Sequence, residues 1–188
     1  MNLNLWFPIP IWTTKLPIDL DKTIAKCLEL ENVTKKVQKS NCGGFQSDFI
    51  DWDEHEEFLE CKKFIIENLQ TIFNETGVSS CTLGKFWINI NRKEHYNYEH
   101  THPKSLFSGC LYLKIPENSG KIVFLRSDMM THYVSQEINS PFFYTRCLYE
   151  PFPALLLIFP SWLPHHVEAN KSDESRISIS FNVVESQL

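Results

Sequence analysis

The spacing of apolar and polar positions changes once along this chain, near residue 80. Before that point it is helical. Residues 18–30 form a first helix. A clearer one begins near Asp53, which can cap it, and Glu56 three residues later completes a capping-box-like pattern. Phe58, Cys61, Phe64, Ile65, Leu69, Ile72 and Phe73 then recur at helical spacing and make one apolar stripe, and Gly77 is the end signal. Such a stripe predicts a helix laid on a sheet.

From Cys81 onward the period falls to two. Residues 85–91 alternate. Residues 106–115 read as extended, 116–120 as a turn, and 121–125, 142–149, 154–159 and 176–184 as further strands. Many short strands separated by Gly, Pro and Asn turns, with helices only upstream, predict a mainly β fold: a jelly roll or barrel of antiparallel strands. We read the chain as one domain over 1–188, helical over about 1–80 and β over about 81–188. There is no internal repeat, low-complexity segment or linker.

The last strand says most about the interior. Ile177, Ile179, Phe181 and Val183 share one face; Arg176, Ser178, Ser180 and Asn182 share the other. An ordinary surface strand has the same pattern, with its polar face in water. The upstream helices change the balance. If they cover the apolar outside of the sheet, the polar face looks into a barrel that must hold something polar.

Composition narrows the setting. The net charge of −5 gives no nucleic-acid footprint. No stretch approaches the roughly 18 consecutive apolar residues of a membrane span. The first residues lack a charged n-region and a cleavage site. The six Cys form no C-x-x-C pair and read as free thiols in a reducing cytoplasm.

The candidate chemistry lies in two His-bearing signals. His100 and His102 sit at i and i+2, so an extended backbone turns both to one side. Glu99 and Thr101 then point away, which makes Glu99 a poor ligand. A third His from a distant strand can close a facial triangle, leaving open positions for catalysis. His165 and His166 are adjacent, so only one can face inward, and the residues alone do not choose. His55, His95 and His132 read as loop or surface residues, with His95 a lesser alternative. Arg176 lies eleven residues after His165, far enough for the turn over 171–175 and a return strand that brings it beside the His. Its guanidinium suits a carboxylate, and Ser178 on the same face can donate to the same group. Together these residues suggest an iron site with a bound organic acid beside it.

Here the sequence resembles a known family. The Arg-x-Ser pattern, Arg176-Ile177-Ser178, about ten residues after the last His looks like the co-substrate anchor of Fe(II)- and 2-oxoglutarate-dependent oxygenases. One branch, the 2OG-Fe(II) oxygenases of bacteria and marine cyanobacterial phages, is resembled more closely. The matching segments include Phe7-Pro8-Ile9-Pro10-Ile11-Trp12, Trp87-Ile88-Asn89-Ile90-Asn91, Tyr96-Asn97-Tyr98-Glu99-His100-Thr101-His102-Pro103, Ser108-Gly109, and Phe159-Pro160-Ser161-Trp162-Leu163-Pro164-His165. The resemblance implies a double-stranded β-helix (jelly-roll, cupin-like), with the helices packed outside the sheet. It implies Fe(II) on His100, His102 and His165, choosing His165 over His166. It implies 2-oxoglutarate on Arg176 and Ser178, to which we add Tyr112 on the strand after the motif. The implied activity is a hydroxylase coupling 2-oxoglutarate decarboxylation to C–H oxidation with dioxygen. Most of the superfamily carries Asp or Glu at the position of His102; this branch shares the His.

Two other readings stay open on the residues alone. One is a cupin-like three-His metalloenzyme that uses no 2-oxoglutarate; the other is a non-enzymatic jelly-roll binding module. The substrate, a small molecule or a protein side chain, is not written in the sequence. Residues 126–141, with Met129 and Met130, are a candidate lid. The segment bearing Trp6, Phe7 and Trp12 can pack on its own barrel or on the second subunit of a homodimer.

Overall fold

The residues before position 80 deliver two helices and three short strands. β1 (Trp12–Lys15) precedes α1 (Asp21–Val33); β2 (Asn41–Cys42) and β3 (Phe45–Gln46) follow; a 3-10 turn at Glu56–Phe58 runs into α2 (Leu59–Thr76). Then come β4 (Cys81–Asn91), β5 (Tyr96–His100), β6 (Phe107–Lys114), β7 (Ile122–Leu125), β8 (Arg146–Tyr149), β9 (Leu155–Pro160), β10 (His165–Val167) and β11 (Arg176–Glu185). The computed structural model describes residues 1–127 and 138–186. Met129, Met130 and most of the candidate lid lie outside the described residues.

The helix expectations hold in kind and shift in position. α1 starts three residues later than expected and ends three later. α2 starts at Leu59, with Phe58 as its N-cap and no side-chain cap bond. Asp53 does not cap it. The residue precedes the 3-10 turn, and its carboxylate instead takes both bonds from Lys62 Nζ, at 2.8 and 2.6 Å. Gly77 does end the helix, in the left-handed region at φ 72°, where a residue without Cβ carries no steric cost.

All strand pairs are antiparallel. They form a six-stranded sheet in the order β1-β9-β6-β11-β4-β3 and a five-stranded sheet in the order β2-β5-β10-β7-β8. Two facing antiparallel sheets of this kind are the double-stranded β-helix. The first 80 residues therefore supply more than helices. β1 and β3 edge the large sheet, and β2 edges the small one. Strands of two to four residues carry too short a period-two signal to be read from sequence.

Both helices lie on the outer face of the large sheet. Cys61, Ile65, Leu69 and Ile72 of α2 and Cys27 and Leu30 of α1 share one buried cluster with Phe86, Ile88 and Ile90 of β4 and Ile177, Ile179, Phe181 and Val183 of β11. A second cluster fills one end of the space between the sheets. It joins Cys110 and Tyr112 of β6, Leu155, Leu157 and Phe159 of β9, and Ile122 and Phe124 of β7. The inner faces of β11, β4 and β3 close the other end with polar side chains.

Gly109 shows how tightly the outer cluster is built. It pairs with Phe181 across β6 and β11. A Cβ at Gly109 would sit 2.2 Å from the Phe181 ring, and that ring is fully buried against Trp52 at a centroid distance of 6.2 Å. Gly109→Ala is expected to destabilise the protein by about 1–3 kcal/mol through overpacking. The check is a urea midpoint that falls with an unchanged slope; an unchanged midpoint would mean the ring has room to move.

Candidate functional site

The polar end of the interior is a cavity of about 570 Å³. Arg176, Ser178, Ser180 and Asn182 of β11 line one wall, as the sequence pattern anticipated. Asn89 and Asn91 of β4 and Gln46 of β3 extend that wall, and Tyr112 reaches it from β6. The opposite wall is the small sheet, with His100 at the end of β5 and His165 at the start of β10.

Pairing brings the histidines together. His165 stands opposite His100 in the β10–β5 register. His102 follows two residues after β5 ends, and its backbone N–H is held by the Ser161 carbonyl at 2.9 Å. The ligand atoms of His100, His102 and His165 all lie within 4.8 Å of one another. His102 Nε2 and His165 Nε2 are 3.3 Å apart. His165 is buried and faces the cavity. Neither His166 nor Glu99 lines it, and Glu99 is exposed.

Local hydrogen bonds fix which nitrogen is available. His100 Nδ1 donates to the Tyr98 carbonyl at 2.8 Å, and His165 Nδ1 donates to the Leu163 carbonyl at 2.9 Å. A carbonyl only accepts, so each Nδ1 carries the proton and each Nε2 keeps its lone pair. Burial keeps these rings neutral. It pulls His165 down to about 3, helped by the neighbouring His100, and His102 down to about 4, again with His100 contributing. His100 is lowered for the same reason. Three neutral imidazoles turning Nε2 atoms to one point are a fitting donor set for a divalent transition metal, and backbone carbonyls on Nδ1 are the usual outer partners of such ligands.

Arg176 occupies a different place from the one its spacing suggested. It was expected on a strand beside the His. β11, however, pairs with β4 and β6 in the large sheet, and β10 pairs with β5 and β7 in the small one. The turn between them crosses from one sheet to the other, so the guanidinium enters the cavity from the wall opposite the histidines. It is 1% exposed. Nη1 donates to the Ser119 carbonyl in a short bond, to the Glu168 carbonyl at 3.3 Å and to the Gly120 carbonyl at 3.4 Å. Gly120 has φ 86°, and a Cβ there would come within 2.6 Å of the Glu168 oxygen, so this cradle admits no larger residue. Among the described residues Arg176 forms no ion pair. A buried cation satisfied only by neutral carbonyls leaves its charge for an anion in the cavity. Tyr112 and Ser178 stand on the same side; burial raises the Tyr112 hydroxyl well above its ordinary value.

Sequence reasoning passed over several lining residues. Asn89 and Asn91 sit at alternating positions in β4, a signal that the same inward-face argument could have used. Ser40, Asn97 and Gln46 lie in or beside strands too short or too irregular to show a period. At the cavity mouth are Lys39, Asp48, Phe49, Trp87 and Tyr98, with Phe49 and Trp87 in edge contact at 5.8 Å. His95 is taken up by the turn before β5, where its Nδ1 accepts from the Arg92 N–H at 3.0 Å. His132 lies outside the described residues.

Cys110 also lines the cavity, and burial raises its thiol to about 11. Alkylation of the native protein near neutral pH should label exposed Cys42 and spare Cys110, Cys27 and Cys61, with all six reacting after unfolding. Peptide mass analysis gives the result; native labelling of Cys110 would mean the cavity opens far wider than this structure shows.

Comparison with known proteins now identifies the family. The sequence profile of the family described as "Putative 2OG-Fe(II) oxygenase" matches residues 85–182, just over half of the chain, and the chain belongs to that family. It is thus an oxidoreductase of the Fe(II)- and 2-oxoglutarate-dependent class, with Fe(II) as its metal and 2-oxoglutarate and dioxygen as co-substrates. Nothing matches among curated proteins. Among solved structures, a Pseudomonas putida prolyl-4-hydroxylase aligns with a TM-score of 0.70 and 16% identity, covering 94% of this chain and 93% of its own. A prolyl hydroxylase from Trichoplax adhaerens, solved with a hypoxia inducible factor peptide, gives 0.68 and 15% over 93% of this chain and 83% of its own. The viral collagen prolyl hydroxylase of Paramecium Bursaria Chlorella virus-1, solved with 2OG, gives 0.62 and 16% over 92% and 94%. These likenesses establish the fold.

Proposed function

We propose that this oxygenase is a hydroxylase, with His100, His102 and His165 as the Fe(II) ligands and Arg176, Ser178 and Tyr112 as the anchor for the far carboxylate of 2-oxoglutarate. The observation that carries the reading is Arg176: a buried guanidinium without an acidic partner among the described residues, in the same cavity as three neutral imidazoles. When bound, the iron would activate dioxygen, which is the oxidant: two of its oxidising equivalents would go to decarboxylating 2-oxoglutarate to succinate and carbon dioxide, and two to placing one oxygen atom on a substrate carbon.

The chain's own groups do the positioning. The Tyr98 and Leu163 carbonyls hold two imidazoles with Nε2 aimed inward. The carbonyls of Ser119, Gly120 and Glu168 hold the guanidinium so that its remaining N–H groups can meet a carboxylate, and Ser178 adds a hydroxyl. The apolar cluster of Phe124, Leu157 and Phe159 closes the inner end of the space to water. Substrate enters at the mouth, past Phe49, Trp87 and Tyr98. The likeness to prolyl hydroxylases makes a protein side chain the first substrate class to test. Unpaired thiols suit cytoplasmic residence, and exposed Leu3, Leu5, Trp6 and Phe7 offer a surface for a second subunit. Among the described residues no helix is long and apolar enough to cross a membrane.

Anaerobic titration of Fe(II)-loaded protein with 2-oxoglutarate tests the site. The expected result is a saturable visible charge-transfer band that Arg176→Ala abolishes. Iron binding without a band would favour the three-His enzyme that uses no co-substrate. His102→Asp is expected to keep iron, since a carboxylate ligates as readily there, and His166→Ala should change little. Loss of iron from His166→Ala but not from His165→Ala would reverse the assignment.

A further inference from the structure

We propose that Ser40 is a further positioning residue of this centre, its hydroxyl donating a hydrogen bond to the metal-chelating carboxylate of 2-oxoglutarate. The proposal rests on the ligand and anchor assignment above and adds to it a group from outside the double-stranded core.

Ser40 lies in the loop just ahead of β2, is 8% exposed and lines the cavity. It is pinned to β5 twice. Its carbonyl accepts from the Tyr98 N–H at 3.0 Å, and its Oγ accepts from Asn97 Nδ2 at 3.1 Å. With that acceptor role filled, its own proton is free to be donated. It goes to His100 Nε2, 3.3 Å away. His100 can accept there only because its Nδ1 is committed as donor to the Tyr98 carbonyl.

The consequence follows from valence. The Nε2 lone pair that accepts from Ser40 is the one a metal ion takes. Once it is taken, the hydroxyl loses its acceptor while Asn97 and the backbone keep it in place. A hydroxyl that is only 8% exposed is costly to leave unpaired, so its proton is available to another acceptor beside His100. The chelating carboxylate of 2-oxoglutarate would be an anionic acceptor held on the same metal as that imidazole. A charge-assisted bond there is stronger than the neutral one it replaces.

The test uses Co(II)-loaded full-length protein, with binding of Co(II) alone and of 2-oxoglutarate to the loaded protein each measured by calorimetry. Ser40→Ala should weaken 2-oxoglutarate binding about tenfold, the scale of one charge-assisted hydrogen bond, while Co(II) affinity stays within about threefold. Ser40→Thr, which keeps the hydroxyl, should restore 2-oxoglutarate affinity. An unchanged 2-oxoglutarate affinity in Ser40→Ala overturns the proposal and leaves the hydroxyl as a tether for Asn97. Loss of Co(II) binding in Ser40→Ala, with Ser40→Thr unable to restore it, also overturns it, since the residue then serves the ligands or the fold. If the parent Co(II) protein binds no 2-oxoglutarate, the site assignment itself fails and this proposal with it. Failure confined to the variants leaves the assignment standing.

Discussion

Strand β11 is buried on both faces, and the architecture answers to that. Ile177, Ile179, Phe181 and Val183 require an apolar cover, which α1 and α2 provide on the outer side of the large sheet. Arg176, Ser178 and Ser180 then have nowhere to go but inward, where a second sheet faces them. A solid apolar interior at that place would strand a guanidinium and several hydroxyls, each at a cost of kcal/mol scale. The cavity is therefore not a packing defect beside the strand but the environment its polar face needs. Arg176 is the extreme case. Carbonyl dipoles from Ser119, Gly120 and Glu168 satisfy some of its protons without cancelling its charge, so the interior keeps a standing preference for an anion.

The interior divides along the large sheet. Toward β9 the inward side chains are Leu155, Leu157 and Phe159, and with Phe124 they make a dry plug. Toward β4 and β3 they are Asn89, Asn91 and Gln46. The histidines sit where these halves meet: the Phe159 ring lies 4.8 Å from the His165 ring, while Ser40 bonds His100 on the polar side. Both ring orientations come from the same device, an Nδ1–H returned to the carbonyl two residues earlier. The rings are thereby held before any metal arrives, at no expense of side-chain partners.

This division explains what could be read from the sequence. The alternations over residues 85–91 in β4 and along β11, and the stripe of α2, each run over seven or more residues. For elements of that length the period survives local irregularity, so the fold class and the inward polar face of β11 were legible. The His100–His102 pair was legible because an i, i+2 relation is local. Three things were not. Strands β1, β2, β3 and β10 are two to four residues long and paired by distant partners, so no local period marks them. The choice between His165 and His166 depends on the register of β10 against β5, a long-range fact; the family resemblance picked the residue that lines the cavity, where periodicity had nothing to say. The side from which Arg176 enters depends on the turn after β10 crossing between sheets, and spacing alone carries no sheet assignment. The cap at Asp53 failed for a related reason, since an intervening 3-10 turn moved the helix start and left Asp53 to Lys62.

His102 alters the electrostatics of the centre more than its shape. With three neutral imidazoles as ligands, a divalent cation would keep both charges, and Arg176 adds a third on the opposite wall. A carboxylate at position 102 would remove one of them. Among the described residues lining the cavity the only acidic side chain is Asp48, exposed at the mouth. The neutralising charge must then come from the ligand, and a dianion matches what remains far better than a monoanion or a neutral acid. Metal and co-substrate would accordingly bind with strong mutual dependence, each lowering the cost of the other, since coupling between two sites is reciprocal. Buried His102 and His165 reinforce this, for their depressed pKa values keep both imidazoles neutral through the whole physiological range. On these grounds a carboxylate-free triad is compatible with 2-oxoglutarate, and with the proposed ligand set the dianion would be a structural part of the working centre.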